Sequence, residues 1–380
     1  SSPTFAAVAV LTIALGIGAN TAVFSVVNGI LLRPLPFPDS DRLMRVWEVS
    51  ERSNTMSVAW PNLRDWQEEV ASFESVAGYT SQTATVLGIE RPVRAGFSTV
   101  SRGFFDALGV SPAVGRTFLP EEQVEGAEPT VVVSHAFWRD HLGGRRDLSA
   151  LRLELGGVSP RVVGVMPPGF EFPAGAEIWT PAELAPTGRD RTAHNYRVIA
   201  RLADGTSLER AREEVGAVTR RALEGLSGPY YAAGVEVLPL QEDLVGPVER
   251  PLLLLLGAAG LLLLVACTNL ASTFMARALS RGREIAVRRS LGAGRARVIR
   301  QLLTEALLLA LIGGALGLAL TLGLVRAMLG LAPAGIPRLD GVTVDGPVLA
   351  FAFGVSVATA LLFGLFPAFR SSDLDAAEAL

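Results

Sequence analysis

The residues that most often carry chemistry are scattered along this chain. His135 and His141 lie six positions apart beside Trp138, and His194 is distant from both. No HExxH pair and no four-ligand spacing joins them, so they read as structural or surface residues and not as a metal centre. No GxxxxGK[ST] loop is present to cradle a phosphate, the serines lack a GxSxG setting, and the acids show no recognisable catalytic pairing. Cys267 is the single cysteine and lies in an apolar run, so it makes no intrachain disulfide. What remains is charge. Residues 277–300 hold eight arginines against one acid, Glu284. If this tract is helical, Glu284 and Arg288 share one side, Ile285 and Arg289 share a neighbouring side, and Gly292 permits a turn or a close approach. It has two readings: an arginine-rich flank that orients a membrane protein, or a docking surface for a cytoplasmic partner.

The elements around this tract favour a membrane setting. Uncharged runs cover residues 1–32, 251–276, 306–325 and 346–369. A crossing needs ~20 residues at about 1.5 Å rise each, so four transmembrane helices are expected, the third over 302–328. The first run lacks a basic start and an Ala-X-Ala site, so it reads as a spanning helix and not as a signal peptide. A short basic connection between spans is cytoplasmic, which makes 277–301 an inner segment and 370–380 an inner tail. Residues 33–250 and the loop 329–345 then lie outside. The formal charge of -3 conceals this asymmetry. Positive charge confined between two spans is a topology signal, and it argues against nucleic acid as a partner.

Small and polar residues inside the spans mark where helices approach each other. Gly16 and Asn20 share a face of the first helix, where a neighbour could pack closely and accept a polar bond. Gly257 and Gly260 offer close packing in the second, and Gly313 and Gly317 have small-xxx-small spacing in the third. Glu305, near the cytoplasmic mouth and close in sequence to Arg300, reads either as an interfacial ion-pair partner or as a proton or substrate site.

The outer segment is of ordinary domain size. Pro34, Pro36 and Pro38 end the first helix with a stiff exit. Strands are expected at LMRVWEVS, TATVLG, RPVRAGFSTV, TVVVS, LRLELGG, PRVVGVMP, NYRVIARL and VEVLPL. Helices are expected at NLRDWQEEVASF, HAFWRDHLG and, started by Ser207, at SLERAREEVGAVTRRALEGL. The run Arg161-Val162-Val163-Gly164-Val165-Met166 suggests a strand with one buried face, Val163 inward and Arg161 less so. The five tryptophans all fall in this segment and are expected in its core or at its junctions. The fold class is therefore membrane α-helical with a large α+β extracytoplasmic domain of two subdomains, one inserted in the other.

Several tracts together resemble the permease part of the FtsX/MacB-like family of ABC transport systems: ALGIGANTAVFSVVNGILLRPLPF, VSRGFFDALGVSPAVGRTF, VVVSHAFWRDHLGG, RVVGVMPPGFEFP, REIAVRRSLGAGRARVIRQLLTEALLLALIGGALG and the closing FPAFRSSDLDAAEAL. The resemblance covers nearly the whole chain and is strongest to the macrolide-exporter-like branch, especially permeases in which two four-helix halves are fused. The tract GGRRDLSALRLELGG departs from the usual glycine-rich link. The resemblance implies a non-catalytic subunit of the bacterial inner (cytoplasmic) membrane with a MacB-like core domain in the periplasm. It also implies that Glu284, Ala286, Arg288, Gly292 and Ala293, with Glu305 at the start of the next helix, contact a cytoplasmic ABC ATPase. No cofactor is expected on this chain; ATP and magnesium belong to that ATPase. A second permease half or dimer partner is implied, with a periplasmic or outer-membrane efflux component as a further candidate. The work done is then export or mechanotransmission. The alternative is a membrane signalling or scaffold protein with an extracytoplasmic recognition domain.

Topology is open to a direct test. In a Cys267→Ser background, His135→Cys or Asp204→Cys is expected to react with an impermeant thiol reagent added to sealed cells, while Ser290→Cys does not. Equal labelling at position 290 would overturn the charge argument.

Overall fold

The computed structural model describes residues 3–50, 53–89, 91–186, 188, 190–226, 228, 230–280, 295–331 and 341–373. These fall into two compact units, residues Pro34–Leu244 and, separately, Ser1–Arg33 with Val245–Leu380.

In the first unit a mixed sheet is built from β1 (Leu43–Ser50), β2 (Ser53–Met56), β3 (Val58–Ala59), β4 (Phe73–Tyr79), β5 (Gln82–Leu87), β6 (Val93–Val100), β7 (Val114–Gly115), β8 (Thr130–Val133), β9 (Glu154–Leu155), β10 (Arg161–Val165), β11 (Ile178–Pro181), β12 (His194–Leu202) and β13 (Gly234–Pro239). Its main path runs β13-β1-β12-β4-β6-β11-β8-β10-β7. β1 lies antiparallel between β13 and β12, and β4 pairs antiparallel with β12, whereas β10 runs parallel to β8 and β11 parallel to β6. The chain from β5 to β11 is thus interposed between β4 and β12, two strands that pair with each other.

The helices of this unit are α2 (Trp60–Glu69), α3 (Phe104–Leu108), α4 (His135–His141) and α5 (Leu208–Ala222). Ser134 caps α4 by accepting from the Phe137 N–H, and Ser207 caps α5 by accepting from the Arg210 N–H, as N-cap serines do. α2 stops earlier than its pattern suggests, and β4 takes over at Phe73. The reason is tertiary: the Glu214 carboxylate, carried on α5, accepts the backbone N–H groups of Ala71 and Ser72, each at 2.9 Å, and holds the chain in a turn. Of LRLELGG only β9 is a strand, because Leu155 pairs back on Val158 two residues after the turn begins.

Three apolar clusters fill the domain. One packs α2 and α5 on β1, β4 and β12 through Leu63, Trp66, Val198 and Val215. A second packs α4 on β8 and β10 through Phe137, Val131 and Val162. The third is aromatic, with Tyr79, Phe104, Phe105, Phe170, Phe172 and Trp179 in contact around the Trp179 indole, which donates to the Phe172 carbonyl at 2.9 Å. Trp66 and Trp179 are fully buried. β10 departs from the one-faced reading: Val163 enters the aromatic cluster, while Val162 and Val165 enter the α4 cluster, so both faces are covered. Arg161 is engaged as well, with its guanidinium against Glu122 at 3.4 Å.

The central polar feature is Arg45 on β1, which is 2% exposed. Its Nε donates to Asp243 Oδ2 at 2.8 Å and its Nη2 to the Tyr79 hydroxyl at 2.9 Å, and the guanidinium lies over the Tyr79 ring. Burial opposes its charge, yet Tyr79 and Asp243 hold its pKa above the ordinary arginine value. Trp47 Nε1 donates to the second Asp243 oxygen at 2.6 Å. Asp243 sits in the first turn of α6 (Leu240–Ser280), where the helix dipole favours an anion, and Leu240 is buried in the aromatic cluster.

In the second unit, α1 (Pro3–Val27) opens into a π-helical turn over Asn28–Leu32 before Pro34 ends it. The remaining helices are α6, α7 (Arg295–Leu331) and α8 (Gly346–Asp373). Three described stretches are long and apolar enough to cross a membrane: Ala6–Leu32, Leu240–Thr273 and Thr304–Leu331. The apolar part of α8, Gly346–Leu361, is shorter. α6 begins eleven residues before the expected 251, carrying Pro247 and Pro251 within it.

Asp243→Ala leaves the buried Arg45 guanidinium without its carboxylate, which is expected to cost about 3–5 kcal/mol. Asp204→Ala, which removes a 92% exposed partner of Arg42, is expected to leave stability nearly unchanged. Thermal unfolding of the detergent-solubilised chain, followed by its tryptophan fluorescence, compares the two; equal midpoints would overturn the structural role of the Arg45–Asp243 pair.

Candidate functional site

The membrane unit is organised on the seam between α1 and α7. Within lipid, apolar surface gains little by meeting more apolar surface, so close helix contact depends on dispersion and on polar bonds. Gly317 supplies the first condition. A Cβ there would stand 2.8 Å from the Ala14 carbonyl oxygen and 3.1 Å from the Gly18 nitrogen, and a Cβ on Gly18 would reach the Gly317 oxygen at 2.9 Å. The backbones therefore touch. Thr321 fastens the same level, its hydroxyl 2.9 Å from the Gly317 oxygen and 3.2 Å from the Gly18 oxygen. Gly313 meets Ile13 one turn away, and Phe24 stacks on Phe351 of α8 with ring centroids 4.0 Å apart.

Asn20 supplies the polar bond. It is buried, and its Nδ2 donates to the Gly16 carbonyl of its own helix and to the Ala259 carbonyl of α6, both at 2.9 Å. α6 therefore presents Leu252, Leu256, Ala259 and Leu263 along one line toward α1, the last contacting Gly16. Gly257 and Gly260 each lie one position past this line, about 100° around the helix, and no heavy atom lies within 4 Å of a Cβ built on either. Among the described residues, these two glycines meet no neighbouring helix.

At the outer end, Asn28 Nδ2 lies 3.3 Å from both Asp345 carboxylate oxygens, and Asp345 also accepts from the Val348 N–H at the start of α8. At the opposite end, Glu305 is half-buried in α7, next to Thr304, whose hydroxyl donates to the Arg300 carbonyl at 2.6 Å. Glu284, Ala286, Arg288, Gly292 and Ala293 lie outside the described residues.

His135 packs edge-on to Trp138 and His141 against Phe137. Among the described residues, no group of three or more His, Cys, Asp or Glu side chains could hold a metal ion. Sequence reasoning missed Arg45, Asp243 and Thr321. An arginine within a strongly apolar strand was the available signal for the first, since it must find an acid elsewhere in the fold.

A set of apolar helices joined in one chain to an α+β domain with a mixed sheet defines a membrane protein with a folded extramembrane domain. The sequence matches the MacB-like periplasmic core domain family over residues 6–218 and the FtsX-like permease C-terminal family over residues 256–376. The chain belongs to the FtsX/MacB-like family of ABC transporter permeases. It is similar to the macrolide export ATP-binding/permease protein MacB of Chromobacterium violaceum, with 28% identity over 311 residues, covering 81% of this chain and 46% of that protein. It is also similar to the pyoverdine export ATP-binding/permease protein PvdT of Pseudomonas savastanoi pv. phaseolicola, 25% identical over 281 residues, with 73% and 41% covered. The chain spans about half the length of the curated relatives it matches. Among solved structures, the periplasmic region of MacB from Actinobacillus actinomycetemcomitans aligns with 60% of this chain and 98% of its own, at a TM-score of 0.42 and 12% identity.

The seam orders three glycine substitutions. Gly317→Ala meets backbone that cannot rotate away and is expected to destabilise the membrane unit by about 1–3 kcal/mol. Gly16→Ala meets only the tip of Leu263 and is milder, and Gly257→Ala is neutral for the chain's own fold. Loss of helical circular dichroism with temperature in detergent gives the order; a Gly317→Ala midpoint no lower than that of Gly257→Ala would overturn the seam.

Proposed function

We propose that this chain is a non-catalytic permease subunit of an ABC-type export or mechanotransmission complex, which couples ATP hydrolysis by a separate cytoplasmic ATPase to conformational work outside the membrane. Four helices span the bacterial inner membrane, the fourth being α8, and the Pro34–Leu244 unit stands in the periplasm. ATP and magnesium are bound by the partner ATPase. A second permease half or a second copy completes the membrane part, and a periplasmic or outer-membrane component receives or conducts what is moved.

The observation that carries this reading is that the periplasmic-core match and the permease match follow one another in a single chain. α6, Leu240–Ser280, bridges the gap between them, and the Asp243 carboxylate in its first turn is held by Arg45 and Trp47. The connection 277–301 then serves as the docking segment. Glu284, Ala286, Arg288, Gly292 and Ala293 form the contact, and Glu305 lies at the root of the helix that carries any push from it.

The test uses correctly inserted chain reconstituted with the ATPase that co-purifies with it from native membranes. Gly292→Leu adds bulk without changing charge, and Glu284→Arg reverses the one acid of the tract. Each is expected to weaken association, or stimulation of ATP turnover, by roughly tenfold, the loss of about 1.4 kcal/mol of contact energy. Wild-type binding and turnover in both variants would overturn the docking assignment. Native membranes that yield no ATPase with the chain would favour the signalling or scaffold reading.

A further inference from the structure

His194 opens β12 and is held from two sides. Its Nδ1 faces Glu48 Oε2 of β1, and its Nε2 lies 2.8 Å from the backbone carbonyl oxygen of Tyr230. Glu48 is completely buried, and its other oxygen accepts from the Asn62 side chain of α2 and, at 3.4 Å, from the Ala59 N–H. A carbonyl oxygen only accepts, and an ionised carboxylate only accepts. With Glu48 ionised, both ring nitrogens carry hydrogen for both contacts to be bonds.

Among the described residues, the surrounding charges do not supply an alternative partner. Arg191, three residues before His194, is occupied by the Asn62 side-chain oxygen and by Asp65 of α2 at 2.6 Å. Asp190 accepts from the Thr192 N–H at 2.9 Å and from its hydroxyl, and it feels the His194 charge at longer range. The Ser57 backbone adds a further acceptor beside the ring. Among the described residues, then, one buried carboxylate, backbone acceptors, a second acid and an arginine already paired stand around His194.

We propose that His194 is a proton-operated latch: its doubly protonated ring ties the Tyr230 segment to the buried Glu48 of β1, and loss of one proton releases the Tyr230 side. A neutral ring has a single N–H, so one contact becomes a lone pair facing an oxygen. The Glu48 carboxylate, fully buried, keeps the hydrogen because losing it is the costlier outcome. The Tyr230 carbonyl belongs to a segment whose aromatic side chain is 72% exposed, so it can be rehydrated at little cost. Tyr231 still bonds Gly228, and Ala233 still bonds Val49 of β1, so release is confined to a short stretch ahead of β13.

The sign of the pH dependence follows. The hydrogen bond to Glu48 raises the pKa of His194 above the ordinary histidine value, against the opposing effect of burial. The latch therefore contributes fully below the unfolded-state pKa, and its contribution is lost as pH rises through the folded-state value. Raising the pH opens it.

The experiment uses the full chain in lipid nanodiscs between about pH 5.5 and 8.5. Deuterium exchange at the imidazole C2 position, read by mass spectrometry, gives the titration midpoint of His194 in the folded chain and again in the denaturant-unfolded chain. The folded midpoint is expected to lie above the unfolded one. Backbone exchange of the peptide containing Tyr230–Ala233, corrected for intrinsic rate, is expected to quicken through the same midpoint by at most about tenfold per pH unit, the limit for one proton. His194→Gln is expected to leave that peptide fast at every pH, and Glu48→Gln to lower the His194 midpoint. A wild-type His194 midpoint no higher in the folded chain than in the unfolded chain, or pH-independent exchange of the Tyr230 peptide, overturns the latch whether or not either variant folds.

Discussion

A guanidinium taken out of water must be met by an anion and by acceptors that fill its remaining N–H groups, and much of the outer domain is arranged to do this for Arg45. β1 lies between β12 and β13, so any residue on its inner face is distant from solvent. Arg45 is there, between Leu43 and Trp47 on the same face, while Met44 and Val46 are buried on the other. Asp243, Tyr79 and the Val198 carbonyl come from α6, β4 and β12, so one buried charge fixes the mutual position of four elements. A hydrophobic residue in its place would fill the space without choosing among them, because apolar contact is non-directional. The pair's role is to specify one arrangement, with Trp47 holding the second carboxylate oxygen so that Asp243 has a single orientation.

The membrane unit meets the same requirement under a different solvent. Leucines on α6 and α7 are largely outward, as expected for helices whose environment is itself apolar. What selects the α1–α7 arrangement is the absence of side chains at Gly18 and Gly317, which lets peptide groups approach, together with the Thr321 hydroxyl that bridges them. Asn20 does for α1 and α6 what Arg45 does for the outer domain, with a neutral amide in place of a charge. A carboxamide in hydrocarbon demands a partner strongly enough to set the rotation of α6, and that rotation turns Gly257 and Gly260 away from the seam.

For a permease of this family these two devices have a common consequence. The polar contacts are few, directional and placed at the entry and in the middle of α6, the helix that joins the two family-defining regions of the sequence. The aromatic cluster around Trp179 and the mixed sheet give the outer domain a packed interior of its own. His194 repeats the logic at the domain's edge, where a buried carboxylate again dictates the state of the group facing it.

Sequence alone determined what depends on sums over neighbouring residues: the apolar runs, the cap at Ser207, and most strands of the α+β domain. The family resemblance was legible for the same reason, since it rests on contiguous tracts. Tertiary structure decided what depends on partners far along the chain. Whether α2 ends at Glu69 was settled by Glu214, some 140 residues on; whether β10 buries one face or two was settled by α4 on one side and the aromatic cluster on the other. Which glycines form a seam was decided by helix rotation: Gly313 and Gly317, four apart, face α1, while the Asn20 bond to Ala259 leaves Gly257 and Gly260, three apart, off the line that α6 turns to α1. Local pattern fixes which surfaces a helix or strand offers, and the pairing of buried polar groups, each of which costs free energy until its partner arrives, fixes which of those surfaces meet.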